Sequence, residues 1–64
     1  MKISFADANT IIQAFGVKEH ELGLFAREWE LCYRLALFAG YPESAVSHFE
    51  NKMLEARAEE LTPI

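Results

Sequence analysis

Sixty-four residues, a net charge of −4 and a single cysteine restrict the chain to one small domain without an internal disulfide. Ten carboxylates against six Lys and Arg disfavour nucleic-acid phosphate and anionic membrane as general partners, because affinity for both comes from basic side chains. Apolar residues make up 52% and charged residues 25%, the composition of a folded chain rather than a disordered one.

A chain this short buries only about 60% of its unfolded surface and is marginal without help. With no disulfide, that help has to come from a metal or a partner chain. No apolar run approaches the roughly 20 residues of a membrane span. The stretch from Met1 to Thr10 lacks the charged, apolar and small-residue segments of a signal peptide. A soluble, cytoplasmic protein is the expectation, and a buried Cys32 suits a reducing compartment.

In chain order, Ser4 and Asp7 read as a capping box. A first helix runs from about Phe5 to Phe15, with Phe5, Ala8, Ile12 and Phe15 on one stripe and Ile11 beside them. Gly16-Val17 reads as a stop, with glycine left-handed and the valine folding back as in a Schellman motif. Gly40-Tyr41, followed by Pro42, reads the same way. A second helix is predicted from about Glu19 to Ala39, with Gly23 as an interior weakness. A third runs from about Pro42 to Leu61, Pro42 at its first position and Thr62-Pro63 at its end. Its apolar face is Ala45, Val46, Phe49, Met53 and Ala56. The predicted fold is all-α, one domain over residues 1–64, a small three-helix bundle with a central, mostly buried second helix.

That second helix has more apolar surface than a bundle core requires. Leu22, Phe25, Trp29, Cys32, Ala36 and Ala39 form one seam at helical spacing. Leu24, Leu31, Leu35 and Phe38 form a second, and Ala26, Tyr33 and Leu37 fill the shoulder. Only a strip at Gly23, Arg27, Glu30 and Arg34 is polar, with Glu28 as an intrusion. Two short neighbours do not obviously cover such a helix, and a wet second seam forms the kind of apolar patch that marks an interaction site. The candidate interaction residues are therefore Leu24, Phe25, Glu28, Trp29, Leu31, Tyr33, Leu35 and Phe38, the aromatics as anchors. Glu28, Glu30, Glu55 and Glu59 would form an acidic rim that sets partner choice and association rate.

Chemistry finds little purchase. His20 and His48 have no Cys or His partner at a metal-ligand spacing. Cys32 has apolar and acidic helical neighbours, the opposite of what activates a thiol. The carboxylates lack a pocket to tune them, and the three glycines are scattered singly, so no phosphate-binding loop is present. The sequence therefore argues for no enzyme activity, no cofactor and no metal. It argues for a protein-interaction module (a regulator, inhibitor or assembly adaptor) that docks on a protein partner, on itself as a homodimer, or on both. A helix-turn-helix reader is the alternative, with its turn at Gly16-Val17 and Lys18 to Glu21 opening the reading helix; two glutamates there make a poor match to phosphate. An acidic nucleic-acid mimic that inhibits a nucleic-acid-binding protein is the second alternative, resting on the net charge alone.

Overall fold

A computed structural model describes residues 3–62, which form three α-helices: α1 (Phe5–Leu22), α2 (Ala26–Ala39) and α3 (Glu43–Leu61). The class is all-α, with no strand among the described residues. The ends of the predicted 1–64 domain, and Pro63 with them, lie outside the described residues.

The start of α1 follows the sequence. Ser4 Oγ accepts from the Asp7 N–H at 3.1 Å, and Asp7 lies in the first turn, where the helix dipole favours a carboxylate. Its end does not. The helix runs through Gly16 and Val17 to Leu22, so neither the expected end at Phe15 nor the expected start of a second helix at Glu19 holds. One interior glycine costs only about 1 kcal/mol relative to alanine, and Lys18, Glu19 and Glu21 are good helix formers that carry the ladder on. Val17 is 62% exposed, so the buried apolar contact that completes a glycine stop is missing. The chain turns instead at Gly23 (φ 78°), whose N–H donates to the carbonyls of Lys18 and Glu19 at 3.1 and 3.0 Å.

Gly40 shows what Gly16 lacks. It is left-handed (φ 81°, ψ 32°). Its N–H donates to Leu37 O at 3.4 Å, and the Tyr41 N–H donates to Ala36 O at 2.9 Å, the two bonds of a Schellman motif. Tyr41 finds partners in α1: its ring stacks on Phe5 with centroids 4.7 Å apart. Pro42 then sits one position earlier than expected, as the N-cap of α3, accepting from the Ala45 and Val46 N–H groups at 3.0 and 3.1 Å.

α1 and α3 each pack on α2 and, among the described residues, not on each other. Both run antiparallel to it. Lys18, late in α1, pairs with Glu28, early in α2. Glu60, late in α3, accepts from the Ala26 N–H at the start of α2 at 2.5 Å. The buried core is Ala8 from α1, Ala26, Trp29, Cys32 and Ala36 from α2, and Met53 and Ala56 from α3. α2 is therefore central, but the single chain does not bury most of it: Arg27, Leu31, Arg34, Leu37 and Phe38 are all exposed.

Candidate functional site

The eight candidate residues divide between core and surface. Trp29 is 7% exposed and packs with Ala26, Met53 and Ala56, its ring centroid 6.3 Å from that of Phe49. It is a core residue of the chain. Leu24, in the α1–α2 connection, packs against the same cluster. Phe25 caps α2 and is exposed, yet it is occupied: Lys18 Nζ and Arg27 Cζ lie 5.6 and 5.5 Å from its ring centroid, cation–π distances. Tyr33 is half-buried.

Glu28, read as part of an acidic rim, has two tasks inside the chain. One oxygen accepts from the Phe25 N–H at 2.9 Å, capping α2, and the other pairs with Lys18. The Lys18 bond and then the Phe25 N–H hold its carboxyl below the usual carboxylate range. Glu30 is similarly engaged, with Arg34 at 2.8 Å and Arg57 at 3.5 Å. Glu55 and Glu59 are exposed and line a separate polar groove with Glu19, Lys52 and Trp29.

Within the second seam, Leu31 and Phe38 lie at the surface. Leu31 is 44% and Phe38 65% exposed. With half-buried Leu35 they line an open groove of about 230 Å³, joined by Ile3 and edged by Arg34. A second apolar groove, about 350 Å³, lies along α1 between Thr10, Ile11, Ala14, Phe15 and Lys18. The two share one side of the molecule. Ile3, just ahead of α1, reaches the groove on α2, and Lys18, a wall of the groove on α1, reaches Glu28, three residues before Leu31. Together they make a two-helix apolar face turned away from α3.

The sequence reading missed Ile3 and the contribution of α1. Ile11, beside the main stripe of the first helix, lines up with Phe15 at the edge of that stripe and with Leu22 two turns on, and that line is the signal that marks the face. It is obscured when the helix is ended at Phe15. Leu22, read as part of the second helix, is at the end of α1 and 80% exposed.

Other sites fare differently. Cys32 is buried, and burial, reinforced by the nearby Glu28 charge, pushes its thiol up to about 11; at neutral pH it is a small, protonated core group. Among the described residues no three His, Cys, Asp or Glu side chains converge as a metal site, and no helix is long and apolar enough to cross a membrane. The turn that a helix-turn-helix places at Gly16-Val17 is an interior turn of α1, and Lys18 to Glu21 close that helix rather than opening another. Compared with known proteins, the chain matches no family model, no curated protein and no solved structure.

Proposed function

We propose that the chain is a small, non-enzymatic protein-interaction module, a regulator, inhibitor or assembly adaptor working in a reducing, cytoplasmic setting, and that it docks through the apolar face of α1 and α2. One observation carries this reading: Leu31 and Phe38 stand exposed beside Leu35 and Ile3 on the helix that both other helices use as their core. An apolar surface of this kind is stabilised by removal from water at about 25 cal/mol per Å², and a partner supplies that removal where α3 does not reach. The exposed residues Leu31 and Phe38 are the anchors, with Leu35 and Ile11 beside them; Trp29 supports them from the core. Occupation of the face makes α2 the mostly buried central helix that its composition implies.

The reading is tested by immobilising the chain and capturing binding proteins, including a tagged copy of itself, with wild type, Leu31→Glu and Phe38→Glu. A charge on the face removes capture while far-UV circular dichroism stays unchanged. Equal capture by all three chains would place docking elsewhere. Leu37→Glu, equally exposed on α2 but outside the groove, leaves capture intact and serves as the control.

A further inference from the structure

We infer that α1 is a hinged lid on the α2–α3 hairpin. It opens as a unit about Gly23 while α2 and α3 stay packed, and it uncovers the flank of α2 that carries Glu28, Cys32 and Leu35. The inference concerns the chain alone and stands whether or not a partner docks on the face described above.

Burial divides the molecule unequally. Ala26 and Trp29 of α2 form the main cluster with Met53 and Ala56 of α3, and Phe49 packs against it. α1 places only Ala8 fully inside, with Asn9, Ile12, Phe15 and Lys18 half-buried and its other residues exposed. Among the described residues α1 does not pack on α3, so its departure takes no support from the α2–α3 cluster. Parts of a fold that bury little apolar surface open at a lower free energy than parts that bury much.

The pivot is defined by what lies on either side of Gly23. Leu24 packs against the α2–α3 cluster, and the Phe25 N–H is held by Glu28 at 2.9 Å. The connection is therefore fixed to the hairpin from Leu24 onward, while α1 ends at Leu22. Gly23 stands between the two at φ 78°, and a Cβ added there meets nothing within 4 Å. No neighbour obstructs rotation at this residue, and glycine has the widest choice of backbone angles.

Two latches hold the lid shut, one toward each end. Near the pivot Lys18 pairs with Glu28 and lies over the Phe25 ring. At the far end Tyr41 donates to Asn9 and stacks on Phe5. Water replaces the polar bonds on opening, so each contributes little beside an apolar core. Cys32, Leu35 and Ala39 follow Glu28 at helical spacing on one flank of α2, and all three are buried or half-buried. Because Glu28 faces α1, that flank lies beneath the lid. Leu35 also lines the apolar groove with Leu31, Phe38 and Ile3. Ile3 precedes α1 and leaves with it, so opening widens the groove along α2.

Native-state hydrogen exchange on the intact chain, followed by NMR from zero urea to just below the unfolding transition, tests the lid. Amides 12–18 of α1 share one opening free energy and exchange faster than amides 29–36 of α2 and 49–56 of α3. Their urea dependence is the weaker, because opening exposes only part of the surface, and a detached helix of 18 residues is marginal in water. Ala56→Gly, within α3, speeds exchange in α2 and α3 by about fivefold and leaves α1 unchanged. Tyr41→Phe breaks the far latch and speeds all three helices alike, since that bond is lost in the open and the unfolded chain. Iodoacetamide modification of Cys32 follows α1: Tyr41→Phe accelerates it and Ala56→Gly does not. One common exchange free energy for the three helices, or an Ala56→Gly effect on α1 equal to that on α3, would overturn the lid. Amides of α1 that exchange one by one without urea dependence would overturn opening as a unit. Modification of Cys32 at the pace of the α2–α3 amides would overturn the uncovered flank.

Discussion

The Tyr41 hydroxyl donates to Asn9 Oδ1 at 3.1 Å while its ring stacks on Phe5, tying the α2–α3 connection to the first two turns of α1. This contact completes the glycine stop at Gly40, and it holds the start of α1, with Ile3 ahead of it, beside the Leu35–Phe38 end of α2. The geometry of the apolar face at that end depends on it.

Tyr41→Phe keeps the stacked ring and removes the hydrogen bond, so a loss of about 1 kcal/mol is expected in urea unfolding. Tyr41→Ala also removes the ring that closes the Schellman turn and costs about 2–3 kcal/mol. Equal effects of the two substitutions would show that the ring contributes nothing.

Trp29 and Phe38 are both large aromatics on α2, and they separate cleanly. Trp29→Ala empties a buried site at a cost of about 3–5 kcal/mol. That is comparable to the whole stability of so small a domain, so helical circular dichroism is lost at ambient temperature. Phe38→Ser, at an exposed site, changes the stability of the chain by no more than about 0.5 kcal/mol. On the docking reading proposed above, its effect falls on capture of binding proteins instead, which the immobilised chain reads directly.

The three glycines respond in opposite directions. Gly16 is interior to α1, and an added Cβ there meets nothing within 4 Å. Gly16→Ala therefore stabilises by about 0.5–1 kcal/mol. Gly23 and Gly40 hold φ of 78° and 81°, which alanine adopts only under strain, so Gly23→Ala and Gly40→Ala each destabilise by about 1 kcal/mol. Melting temperatures of the three variants check the signs. A destabilising Gly16→Ala would mean that the helix breaks there in solution.

Cys32 gives the pH dependence. Its thiol ionises ordinarily near 9.0 and in the folded chain at about 11. The unfolded chain releases this proton first, so the group's contribution to stability is complete below pH 9.0 and is lost as pH rises toward about 11. The urea midpoint of wild type falls over that window more steeply than that of Cys32→Ala. At pH 8, iodoacetamide modifies the native thiol far more slowly than the urea-unfolded one. Equal rates would place Cys32 at the surface.

Local chemistry made the class and most helix ends legible. The Ser4 cap, the Gly40-Tyr41-Pro42 stop and the apolar face of α3 each depend on residues a few positions apart, and such signals are present in any window of the chain. The burial of Cys32 followed in the same way from the apolar and acidic neighbours one turn away.

What the sequence determined by itself is three helices' worth of pattern and an excess of apolar surface on the central one. Tertiary structure decided where that excess lies. Gly16 and Gly40 look alike in sequence; Gly40 stops a helix where Tyr41 meets Phe5 and Asn9, and Gly16 does not, where Val17 stays exposed. Trp29 and Phe38 sit on one helix with equal apolar character. Trp29 is core because α3 packs on its side of α2, and Phe38 is surface because no helix packs on the other. A wheel shows which residues share a face, but which face receives a neighbour is set by contacts between residues distant in sequence.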